Sequence, residues 1–136
     1  MTTQPMSRAD ESGSRLERGD AMRRRVLGDA HVDRSRDNAT DFTRPLQELI
    51  TEYCWGEVWN RPGLELRERS LINLAMLTAL GKHDELQLHV RGAVRNGVTR
   101  EQIQEVLLQS AIYCGVPAAL EATRYAQATL DAIDSE

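Results

Sequence analysis

The chain has 136 residues, a net charge of −4, 28% charged and only 4% aromatic side chains. That length suits one domain with a proper core, and the shortage of aromatics leaves that core to Leu, Ile, Val, Ala and Met, which favours helices over strands. The acidic balance argues against a nucleic-acid partner, and no run approaches the roughly 20 apolar residues of a membrane span. Cys54 and Cys114 stand alone, without C-x-x-C or metal-ligand spacing. With no apolar stretch near the N-terminus to act as a secretion signal, the expected setting is the reducing cytoplasm.

Residues 1 to about 18 are polar and charged, and are expected to form a disordered tail ahead of a helical domain over 19–136. In AMRRRVLGDAHVDRS, Met22, Val26 and Leu27 share a helical face that ends at Gly28. The arginine run 23–25 reads as a solvated face, with contact to a partner subunit as the alternative. His31 falls in a stretch without apolar periodicity and reads as a surface loop histidine. From Thr43, a candidate cap, Leu46, Leu49, Ile50, Tyr53 and Cys54 follow at helical spacing. WGEVWNRPG then breaks the regularity.

The segment LRERSLINLAMLTALG is apolar nearly all round from Leu71 to Leu80. Such a helix needs cover on several sides, which a small chain supplies poorly, so it points to an oligomer. The next helix ends at Asn96-Gly97. Thr99 and Gln102 make a capping box for another, whose buried face is marked by Ile103, Val106, Leu107, Ser110, Ala111 and Cys114. Gly115 ends it, Pro117 opens the last helix, and no segment alternates as a strand does.

Within ELQLHVRGAVRNG, Leu86, Val90, Ala93 and Val94 share an apolar arc, with Glu85, His89 and Asn96 along its edge. Glu85 lies one turn before His89, a spacing at which a carboxylate orients an imidazole ring. A structural pair at a helix interface is the alternative. His31, His83 and His89 are too scattered for a metal site. QSAIYCGVPAALEATRYAQ mimics a helix-turn-helix, but from Thr99 to Glu136 six acidic residues accompany only two arginines, which phosphates would repel. Neither a nucleophile elbow nor a phosphate-binding glycine loop is present.

The runs VLGDAHVDRS and YCWGEVWNRPGLELRERSLINLAMLTALGKHDELQLHVRGAVRNGVTREQIQEVLLQSAIYCGVPAALEA resemble the carboxymuconolactone decarboxylase family, from about Val26 to the end of the chain. The resemblance implies an all-α, single-domain helical bundle of the alkyl-hydroperoxidase-D-like type, assembled as a homo-trimer or homo-hexamer. Peroxidase-type members of that wider group carry C-x-x-C followed by histidine on this helix. Here Lys82 and Glu85 fall at the cysteine positions, and Ser70 where those members place a glutamate in the preceding helix. Only the histidine remains, as His89, so the resemblance implies acid–base work rather than dithiol chemistry.

The implied reaction, in catabolism of the aromatic acid protocatechuate, removes CO2 from 4-carboxymuconolactone to give 3-oxoadipate enol-lactone. The lactone carbonyl receives the electrons as a dienolate, so the substrate is its own electron sink and no cofactor or metal is implied. Under this reading His89 donates a proton or holds the oxyanion, with Glu85 orienting it. Arg61 and Arg69 are first choices to grip the dicarboxylate lactone, with Arg91 and Arg67 in reserve. Glu57 and Trp59 line the pocket, or serve as a salt-bridge partner and a core residue. Tyr113 and Cys114 read as packing residues. The alternative to an enzyme is a non-catalytic helical oligomer that binds a small acidic ligand or a protein partner.

Overall fold

The computed structural model describes residues 13–136, which contain helices and no strand. The all-α fold expected from the sequence is the one observed. The chain divides by internal contact into two compact units, Met1–Glu65 and Leu66–Glu136.

The first unit holds α1 (Arg15–Leu27), α2 (Asp29–Asp37), α3 (Arg44–Leu49) and a π-helix (Ile50–Val58) that continues α3. Ser14 caps α1 by accepting from the Glu17 amide at 3.1 Å, and the Glu17 carboxylate reaches back to Ser14. Residues 15–18, expected in the tail, are therefore helical: the capping box satisfies the first-turn amides that a polar segment would otherwise leave to water. The rest of the expected tail, residues 1–12, lies outside the described residues.

Met22, Val26 and Leu27 are buried as anticipated, and Gly28 ends the helix. His31, expected in a loop, lies within α2. The arginine run is not one solvated face, because successive helical residues point about 100° apart. Arg23 is buried, its Nη2 donating to Ser35 Oγ at 3.2 Å and Gln47 Oε1 at 3.1 Å. Arg24 donates to Asp33, Asp20 and Asp29, which together raise its already high pKa and tie α1 to α2. Only Arg25 of the three is exposed.

Two glycines bring α1 and the π-helix backbone to backbone. A β-carbon on Gly19 would stand 1.8 Å from the Thr51 carbonyl oxygen, and one on Gly56 2.4 Å from that of Arg15. Hydrogen bonding there follows the wide π pattern, seen where the Trp59 amide bonds Cys54 O at 2.9 Å. That pattern overturns the periodicity read from the sequence. Leu46, Leu49 and Tyr53 are exposed, whereas Thr51, Trp55, Gly56 and Trp59 are buried. The helix also runs on through WGEV instead of breaking there, and Asn60 Nδ2 closes it by donating to Trp55 O at 2.9 Å. Thr43 does not cap α3 as expected. Its hydroxyl accepts instead from the Thr40 amide at 2.9 Å.

The second unit holds α4 (Leu66–Leu80), α5 (His83–Arg95), α6 (Arg100–Cys114) and α7 (Val116–Asp134). Its core joins Leu74, Leu86, Val90, Ala93, Ile103 and Leu107 to Ala122, Ala126 and Leu130 of α7. Gly97, at φ +87°, ends α5 in the left-handed region while the Val98 amide bonds back to Ala93 O at 2.9 Å. The Thr99–Gln102 capping box then starts α6 as predicted. Leu74 is buried, but Ile72, Met76 and Leu80 on the same apolar helix are exposed. Tyr113 and Cys114 are exposed as well, so the expectation that they pack inside is corrected. They fall on the last turn of α6, beyond the reach of the core that holds Ile103 and Leu107.

Candidate active site

The polar edge of α5 resolves into two directions. His89 and Asn96 turn towards α4, while Glu85 is exposed and no hydrogen bond or ion pair joins its side chain to another described residue. Leu86, Val90 and Ala93 pull one face of α5 into the core, and His89, next to that face, is carried under cover with them. Glu85 sits one turn earlier, at the exposed start of the helix. The expectation that it orients the ring is therefore corrected. A buried polar group requires a partner. One partner at the ring is Asn73 of α4, whose Nδ2 lies 3.4 Å from His89 Nδ1.

The same seam is polar further along. Asn96 Nδ2 donates to Ser70 Oγ at 2.9 Å, and Ser70 is fully buried. Ser70 and Asn73, three residues apart on α4, thus each meet a polar side chain of α5. Arg69 is half-buried four residues before Asn73, a spacing that sets its side chain beside Asn73 on the helix surface. The contacts of His89 with Asn73 and of Asn96 with Ser70 form a short polar seam between α4 and α5.

Glu57, Trp59 and Arg61 belong to the first unit. Arg61 pairs with Glu57 at 3.3 Å, and Glu57 also faces Arg15 at 3.8 Å, which matches the salt-bridge reading of Glu57. Trp59 is buried and stacks on Trp55 with ring centroids 4.9 Å apart, as a core residue does. Of the reserve arginines, Arg91 is paired with Glu136 at 2.6 Å. Among the described residues no cluster of three or more His, Cys, Asp or Glu is placed to hold a metal ion. No helix among them is long and apolar enough to cross a membrane.

Asn73 was not picked out from the sequence. The signal was there: in LINLAM it is the one amide on a helix whose neighbours are apolar, and such a residue needs a reason. His83 was likewise passed over. Its ring stacks on Tyr125 at 4.4 Å, and its Nε2 lies 3.0 Å from Glu121 Oε2.

The sequence profile of the Carboxymuconolactone decarboxylase family matches residues 44–128, and the chain belongs to that family. It is 47% identical over 123 residues to the nitrosuccinic acid decarboxylase npaB of Metarhizium robertsii, an alignment spanning 90% of this chain and 86% of that protein. It is 43% identical over 113 residues to a 4-carboxymuconolactone decarboxylase of Acinetobacter baylyi, across 83% of this chain and 84% of that one.

Proposed function

We propose that this chain is a carboxy-lyase that decarboxylates 4-carboxymuconolactone to 3-oxoadipate enol-lactone, without a cofactor. The observation that carries this reading is its similarity, along most of both chains, to an enzyme of that name. The buried imidazole on α5 suits the chemistry. When the carbon–carbon bond to the departing carboxylate breaks, CO2 leaves and the electron pair passes through the ring double bond onto the lactone carbonyl oxygen. One proton then adds to the carbon alpha to that carbonyl. His89 meets this reaction either as the proton donor or as the hydrogen-bond donor to the developing oxyanion.

Arg69 is the guanidinium best placed to grip the carboxylate that the product keeps, because it shares a helix face with Asn73, the residue at the His89 ring. Arg61, which pairs with Glu57, is the second choice.

The 47% identity to a nitrosuccinic acid decarboxylase supports a second reading of the substrate. The two substrates share more than a departing carboxylate. In each, the carbon that loses CO2 also bears a carboxymethyl arm, which stays. In each, the electron pair ends on oxygen, as a dienolate from the lactone or a nitronate from the nitro group. One arrangement of an oxyanion donor and an arginine therefore serves both, and the shape around the ring decides between them.

The test is to incubate the purified protein with each acid and follow CO2 and product, beside His89→Ala. Turnover of carboxymuconolactone that falls about 10²–10³-fold in the variant is the expected result. Faster turnover of nitrosuccinate would move the assignment to the nitro acid. CO2 from neither would leave the non-catalytic helical oligomer.

We further propose that the chain acts as a homo-trimer or homo-hexamer. Ile72, Met76 and Leu80 on α4 support this, as do Leu108, Ile112, Tyr113, Val116 and Leu120 around the α6–α7 corner, all exposed. Apolar surface of this extent marks an interaction face.

A further inference from the structure

We infer that Asn73 is a positioning residue that fixes the tautomer of His89, leaving Nδ1 as acceptor and putting the ring hydrogen on Nε2. The inference rests on the decarboxylase reading for its consequence, though not for its geometry.

The Asn73 amide nitrogen, which can only donate, lies 3.4 Å from Nδ1. A nitrogen that receives a hydrogen bond carries no hydrogen of its own, so a neutral ring held this way is protonated on Nε2. The same acceptance excludes the imidazolium, which carries a hydrogen on both ring nitrogens. An amide also differs from a carboxylate at this position in a decisive way. A carboxylate would demand a hydrogen on Nδ1 and would stabilise the charged ring, whereas the amide does neither.

The consequence separates the two roles left open for His89. A neutral imidazole that gave up its Nε2 hydrogen would become an imidazolate, a far stronger base than a dienolate or nitronate. His89 therefore keeps its hydrogen and donates a hydrogen bond to the oxygen on which negative charge gathers. The proton that completes the product comes from water: the carboxylate leaves as CO2, the pair rests on oxygen, and a solvent proton is taken up at carbon as the carbonyl or nitro group re-forms. His89 is neither consumed nor recharged during turnover.

The experiment uses the whole chain with 15N-labelled histidine and long-range proton–nitrogen correlation, in which protonated and unprotonated ring nitrogens resonate in separate ranges. His89→Gln assigns the His89 signals by their loss. The expected wild-type pattern is an unprotonated Nδ1 and a protonated Nε2. Asn73→Ala should release that pattern towards a mixture of tautomers and lower kcat about tenfold, the loss of one hydrogen bond, with KM changing less. Asn73→Asp, of nearly the same shape, should place a hydrogen on Nδ1 and fail to restore kcat.

Wild-type protein with Nδ1 protonated would overturn the inference, as would an Asn73→Ala protein with an unchanged ring pattern. Because the nitrogen measurement needs no substrate, an Nε2–H ring in a protein that releases no CO2 would sink the decarboxylase reading and leave the tautomer assignment standing.

Discussion

Gly19 of α1 and Thr51 of the π-helix meet so closely that one added methyl on Gly19 would fall 1.8 Å from the Thr51 carbonyl oxygen. No rotation relieves such a clash, because the opposing atom is backbone. Gly19→Ala should therefore force the two helices apart and destabilise the first unit by about 3 kcal/mol, the upper end of overpacking effects. Gly63, with nothing within 4 Å of its would-be β-carbon, is the control. Gly63→Ala should stay within about 0.5 kcal/mol. Urea unfolding of the two variants beside the parent measures both, and equal midpoints would show that the close approach is not rigid.

Glu85 and His89 share a helix edge, yet only His89 is buried. Glu85→Gln is expected to leave stability within about 0.5 kcal/mol, as for an exposed position without partners. Turnover should change by less than about twofold, against the 10²–10³-fold expected for loss of an oxyanion donor. A large loss in Glu85→Gln, at unchanged KM, would mean that the carboxylate turns in when substrate binds.

Ile112 is 80% exposed and Tyr113 83%, at the end of α6. Ile112→Asp removes nothing from the core of its own chain, so it should leave the helical content intact. In an oligomer that buries this corner, it should lower the sedimentation coefficient towards that of a single chain. A wild-type protein that sediments as a monomer and remains fully active would end the oligomer proposal. An assembly indifferent to Ile112→Asp would place the interface elsewhere, with the exposed Leu80 of α4 the next position to change.

Cys114 is exposed and Cys54 partly so, and they are 60 positions apart in sequence, with no second thiol beside either along the chain. Replacing both by serine should leave turnover within about twofold, since the proposed reaction has no step that needs a nucleophile. Alkylation of Cys114 that stopped turnover without unfolding the protein would reopen thiol chemistry.

The sequence made the second unit legible because its helices obey one period and carry ordinary caps. Thr99 and Gln102 announced the start of α6, Gly97 the end of α5, and the arc Leu86, Val90, Ala93 the buried face. His89 was found on the edge of that arc. Its partner was misjudged, because spacing along one helix says that Glu85 is near and says nothing of what a second helix brings. Asn73 is sixteen residues away in sequence and meets the ring only because α4 and α5 pack together. The first unit read less well for a different reason. Heptad-like counting through Leu46, Leu49 and Tyr53 assumes α geometry, and the π-helix breaks that assumption just where the tryptophans turn inward. The arginine run misled in a third way: three adjacent like charges suggest one surface, yet helical rotation gives each its own surroundings.

The π-helix acts as a phase shifter in the chain. Residues before Ile50 and after Val58 belong to helical surfaces that an uninterrupted α-helix would align differently, and the wide turns between them absorb the offset. Length in this segment is therefore coupled to direction. Adding a single residue between Thr51 and Trp55 would exceed the offset that the wide turns absorb, turning Trp55, Gly56 and Trp59 together away from α1. The glycine seam would lose its match on one side, although every residue that makes it was still present. The spacing between those residues, as much as their identity, is what the first unit encodes.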